Sequence, residues 1–219
     1  MTNLFAKAIT PRIEALAFIE RWGGAVMPIE ARSSYTTPEG KEVTVMQSYP
    51  ISCTHDEGIC DDDGYAQGYY TKMLPNDSYL SVAYLESLGP VEYSSPEQYS
   101  MAVQGRARFV AWLNMQRLGA LYCGAAEAFA LHASKALDRR AVMEVAEDVY
   151  QYPASVRAKV TALHFSPQEV FGRYTYAVEP RLFIHPYSFF GIDLAFSAVI
   201  PLACLCLPEI EAVECIETW

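Results

Sequence analysis

Residues 181–207, RLFIHPYSFFGIDLAFSAVIPLACLCL, decide the kind of fold this chain builds. The first half mixes aromatic and β-branched side chains, which suit a pleated and largely buried surface. The second half, Leu194 to Leu207, carries no charge, but it spans only fourteen residues and Pro201 splits it. A membrane-crossing helix needs about 20 apolar residues, so the segment reads as a buried strand and its continuation. Strands are expected to fill Arg181 to Ile200. The stretch offers His185 and Asp193 as candidate catalytic side chains and commits the rest to packing.

Working back from there, Val156 to Phe165 reads as a neighbouring strand. Ser166-Pro167-Gln168-Glu169 is a capping box that opens a short helix near Val170 and Phe171. Two longer helices are expected before it, Ala125 to Leu137 and Asp138 to Tyr150. Neither has an interior Gly or Pro, and the second places Val142, Val145, Ala146 and Val149 on one face. Arg106 to Met115 reads as a strand in which Phe109, Ala111 and Leu113 oppose Val110 and Trp112. Tyr79 to Leu85 is another strand, and Ser95-Pro96-Glu97-Gln98 caps a short helix. Val26 to Thr37 and Lys41 to Ser52 form a hairpin turned at Thr37-Pro38-Glu39-Gly40. Thr10 is the expected N-cap of the lead helix, Pro11 its first residue and Gly23-Gly24 its end.

This order implies an α+β fold, a mainly antiparallel sheet flanked by helices, with a long loop insertion. Residues 1–219 are expected to form one domain, with 53–77 as the insertion and 208–219 as a C-terminal arm. A hydrophobic fraction of 52% is ample for a core and unlike a disordered chain. With 15 Tyr against 3 Trp, the chain favours flat side chains that have a polar tip, as subunit interfaces do. The formal net charge of −10, with no run of Lys or Arg, disfavours nonspecific contact with phosphate backbones, which basic patches drive, and no specific nucleic-acid binding is expected. The first ten residues hold no apolar run of signal-peptide length, and no membrane association is expected. The six Cys, at 53, 60, 123, 204, 206 and 215, read as reduced core thiols.

No motif carries a reaction. Cys53-x-His55-x4-Cys60, followed by Asp61, Asp62 and Asp63, has irregular spacing and no second pair, so a zinc site is not expected. Placing Gly64 at the sixth position of a calcium loop puts Ile59 first and Tyr70 twelfth, where oxygen ligands belong, and the match fails. No cofactor and no metal are expected. His55, His132, His164 and His185 have no nucleophile signature around them, although His164 and His185, on neighbouring strands, have Asp193 within range. The acidic, aromatic insertion with Tyr65, Tyr69 and Tyr70 is a candidate recognition surface. Tyr187, Phe189, Phe190 and Trp219 complete the expected interface set.

The layout of lead helix, hairpin, central strands, helix pair and final strand resembles the tail-terminator and neck (head–tail connector) proteins of long-tailed bacteriophages. Pro186-Tyr187-Ser188-Phe189-Phe190 running into Gly191 to Phe196 is similar to their closing strand. The likeness covers roughly residues 10 to 52 and 106 to 200 and is topological. It implies a non-enzymatic virion structural protein that forms a symmetric homo-oligomeric ring. Its partners would be its own copies and other virion tail or connector proteins, and assembly would occur in the bacterial host cytoplasm. The alternative is a small cytoplasmic enzyme or ligand-binding module with a site near His164, His185 and Asp193.

Overall fold

A computed structural model describes residues 2–37, 39–53, 70–75, 77–94, 100–120, 124–138, 143–144, 155–174 and 185–201. Among these described residues three helices, α1 (Thr2–Glu14), α2 (Ala125–Leu137) and α3 (Pro167–Phe171), accompany nine strands. The strands are β1 (Arg21–Thr36), β2 (Glu42–Cys53), β3 (Tyr70–Lys72), β4 (Ser81–Ser87), β5 (Glu92–Tyr93), β6 (Ser100–Asn114), β7 (Met143–Glu144), β8 (Ser155–His164) and β9 (Tyr187–Pro201). They form one sheet in the order β3-β2-β1-β4-β6-β9-β8-β7, with β5 also on β6. Among the described strands every pairing is antiparallel except β1 with β4. The expected α+β class is therefore the observed one.

The central strands are long because apolar residues occupy both of their faces. In β6, Phe109, Ala111 and Leu113 bury on one side while Val110 and Trp112 bury on the other. β9 pairs with β6 along its whole length, from Ser100↔Pro201 to Asn114↔Tyr187. β4 takes the other edge of β6 from Ala107 to Leu113, and β5 continues that edge at Val103 and Gln104.

α1 and α2 cover the first face. Phe5 stacks on Phe196 with ring centroids 4.6 Å apart, and Phe18 meets Phe129 at 4.8 Å. The close approach of Phe196 to β6 requires Gly105, where an added Cβ would sit 2.5 Å from the ring. The second face is smaller. There Trp112 stacks on Phe171 of α3 at 4.4 Å, with Phe189 edge-on to both.

The hairpin forms as its turn sequence predicts: Gly40 adopts φ 78°, and its N–H donates to the Thr37 carbonyl. Its strands run on past the sheet. From Ile29↔Tyr49 to Thr36↔Glu42 they pair with each other and with no third described strand, an extension of about 25 Å at strand rise.

Several boundaries differ from expectation. Thr10 and Pro11 lie inside α1, not at its start. Burying Phe5 and Ile9, each 1% exposed or less, is worth about 1.5–3 kcal/mol apiece, together of the same order as the roughly 3 kcal/mol or more that an interior Pro costs. The Thr10 hydroxyl donates to the Ala6 carbonyl and accepts from the Trp22 indole instead of capping. Gly23 and Gly24 belong to β1, at an irregularity between Trp22 and Ala25 where Gly24 takes φ 62°. Met143 and Glu144, expected as helix, pair instead with Val156 and Ser155 of β8, which offers them a strand partner. Within the insertion, Tyr70–Lys72 is strand and pairs with the end of β2. The last strand begins at Tyr187, after a turn at His185-Pro186. Residues 54–69 and 76 of the insertion, 139–142 and 145–150 of the second expected helix, 181–184 before β9, the helix expected after Ser95, and the arm from 208 onwards lie outside the described residues.

Candidate functional site

The densest polar cluster sits where the second face meets α3. Strand pairing aligns Glu86 of β4, Arg108 of β6 and Asp193 of β9 as successive cross-strand neighbours. On one face of a sheet such neighbours lie about 5 Å apart, so opposite charges are forced into contact. Arg108 grips Asp193 with two hydrogen bonds, Nε to Oδ1 at 2.6 Å and Nη2 to Oδ2 at 3.1 Å. His164 closes the line from β8, its Nε2 3.0 Å from Asp193 Oδ2. Glu169 Oε2 lies 3.8 Å from the other ring nitrogen, too far for a hydrogen bond.

Two local features make room for this. β8 bulges between Val160 and Ala162, and the Thr161 hydroxyl donates to the Asp193 carbonyl. Gly191 lies opposite both His164 and Val110. A Cβ there would meet the Arg108 stem and Val170 of α3 at 3.2 Å.

The cluster also fastens α3 to the sheet. Arg108 Nη1 donates to the Glu169 carbonyl, Arg173 donates to the Ser87 carbonyl, and the Tyr174 hydroxyl donates to Glu86 Oε2 at 2.6 Å. Glu86 is 2% exposed, and its Oε1 has no hydrogen-bond partner among the described residues. Burial pushes the Glu86 carboxyl above the ordinary glutamate value, against the smaller opposing effects of Tyr174, Arg173 and Arg108. Burial pushes Asp193 upward too, but the hydrogen bonds from Arg108 and His164, with their charges, outweigh it and hold its carboxyl below the ordinary value.

Chemically this is a clamp first. Asp193 is already neutralised by a bidentate guanidinium, which weakens its capacity to activate His164 as a base. A shallow depression lined by Pro75, Tyr79, Ser81, Trp112 and Tyr187 lies elsewhere on the same face. No group of three or more His, Cys, Asp or Glu among the described residues is placed to hold a metal ion. His55 and Cys60, from the irregular Cys/His motif, lie outside them. No helix among the described residues is long and apolar enough to cross a membrane.

The structure joins His164 to Asp193 but not to His185. His185 is exposed, in the turn before β9, six residues ahead of the Gly191 that pairs with His164. Of the expected interface set, Phe190 is 0% exposed in the first-face core beside Phe109, so its own chain encloses it and it cannot meet a partner. Phe189 is half-buried against Trp112 and Phe171, and the half-buried Tyr187 donates its hydroxyl to Asp77. Tyr70 stands in β3 by its backbone, while Tyr65, Tyr69 and Trp219 lie outside the described residues.

Glu86, Arg108, Arg173 and Tyr174 were not singled out from the sequence. A signal existed for two of them. Glu86 and Arg108 each interrupt an apolar strand on the face that Tyr84, Val110 and Trp112 occupy. Comparison with protein-family models, with curated proteins and with solved structures gave no match to this chain.

Proposed function

We propose that this chain is a non-enzymatic structural protein of a bacteriophage neck or tail end, of tail-terminator or head–tail connector type. It assembles as a symmetric ring of its own copies, within the virion and against other tail or connector proteins. The observation that carries this reading is the β1–β2 hairpin, which runs about 25 Å past the last rung it shares with a third described strand. A two-stranded ribbon is marginal on its own, so a ribbon of this length gains most by lying on a neighbour. Met46, 53% exposed, supplies apolar contact along it. The clamp at Arg108 and Asp193 fits the same reading as a device that makes the subunit rigid.

The test is to shorten the hairpin, removing 32–46 and joining Ala31 to Gln47 through an Asn-Gly turn. The variant should keep the far-ultraviolet spectrum of the sheet and lose the oligomer. An oligomer unchanged by the deletion contradicts the role given to the ribbon.

The 3.0 Å contact between His164 and Asp193 favours a second reading, an enzyme or ligand-binding module centred there. It requires that His164→Asn abolish an activity while leaving assembly intact.

A further inference from the structure

Among the described residues, the second face of the sheet is covered by α3 at one end only. Towards the other end, three strands present small or polar residues in register: Ala102, Gln104 and Arg106 on β6, Val199, Ser197 and Ala195 on β9, and Ser155, Arg157 and Lys159 on β8. Arg106 and Lys159 flank Ala195 on one rung, about 10 Å apart across two strand spacings, and Arg157 stands beside Ser197 on the next. All three cations are exposed, and Val199 is 44% exposed. Among the described residues none of the three cations has a side-chain ion pair or hydrogen bond. Glu92, opposite Gln104 on β5, bounds the patch at one side. In a chain of net charge −10, a face with three cations unpaired among the described residues is a place where opposite charge is missing.

The chain itself carries a matching segment. Between Arg181 and residue 219 there is no further Lys or Arg, and Glu209, Glu211, Glu214 and Glu217 alternate with Ile210, Val213 and Ile216. We infer that Arg106, Arg157 and Lys159 form the seat for segment 208–219 of a second copy of this chain. The glutamates meet the three cations, and the aliphatic residues meet Val199 and Ala195. This deepens the assembly reading and rests on it: the contact repeats head to tail around a closed ring.

Equal amounts of isotope-labelled and unlabelled full-length chain, mixed and treated with a zero-length carbodiimide, test it. The reagent joins a carboxylate to an amine only where the two already touch. The expected product links Lys159 to Glu209, Glu211, Glu214 or Glu217 in mixed-isotope pairs, and the paired substitution Arg106→Glu, Arg157→Glu lowers its yield by about tenfold or more. Links within one isotope only, links from Lys159 to Asp61–Asp63 instead, or a yield unmoved by the charge reversal each overturn the inference. Mixed-isotope links in a sample that forms no ring would uphold the seat and overturn the ring, so the two claims fail separately.

Discussion

Arg108 and Asp193 are cross-strand partners at the centre of the sheet, joined by two hydrogen bonds of 2.6 and 3.1 Å with both side chains largely buried. Around that pair His164, Glu86, Tyr174 and the Glu169 carbonyl gather, so one rung of the β6–β9 ladder fixes the position of α3. Removing either charge leaves the other buried without its counterpart.

Asp193→Asn should therefore destabilise the fold by about 3 kcal/mol at pH 7, read as a lower urea midpoint with unchanged slope. The pH dependence follows from the sign of the shift. The Asp193 carboxyl is held below its ordinary value in the folded chain, so its stabilisation is fully present above that value and is lost as pH falls through the folded one. The Asn variant should lose this part of the acid limb. A variant as stable as the parent at pH 7 would show that the pair is not the clamp.

Glu86 behaves oppositely. Its carboxyl is raised by burial, so its contribution is fully present below the ordinary glutamate value and lost as pH rises through the folded value. Glu86→Gln keeps the shape, accepts the Tyr174 hydrogen bond and removes the buried charge. The variant should be at least as stable as the parent at pH 7 and flatter in stability over the weakly acidic range. A loss of stability at pH 7 would mean that the charge is needed there.

Gly105→Ala tests the packing of the first face. The new Cβ would lie 2.5 Å from Phe196 Cζ, and Phe196 is backed by Phe5 at 4.6 Å. Neither ring has room to retreat, so a cost of about 1–3 kcal/mol is expected, measured as a drop in thermal midpoint. A neutral result would mean that α1 is free to shift away from the sheet.

Alternation and turn chemistry made much of the sheet legible. Thr37 to Gly40 announced the hairpin, and the two apolar faces of β6 and the gap-free run of α2 announced those elements. The misreadings have local causes. Pro11 looks like a helix start because it usually is one, and only the packing of Phe5 and Ile9 against the sheet holds helix through it. Met143 and Glu144 read as helix in isolation and become strand because β8 offers them a partner. The ion-pair line was illegible for a different reason: Glu86, Arg108 and Asp193 come from three separate strands, and only the register brings them together. His164 with Asp193 was foreseeable from two adjacent strands, but the position of His185 depended on where β9 begins.

The solution mass of the purified full-length chain, by light scattering with negative-stain images of the same sample, tests the central claim most directly. A discrete multiple of the 24.4 kDa subunit, seen as closed rings, is the predicted result. A chain that stays a monomer at every concentration, alone and with tail or connector proteins added, would contradict it.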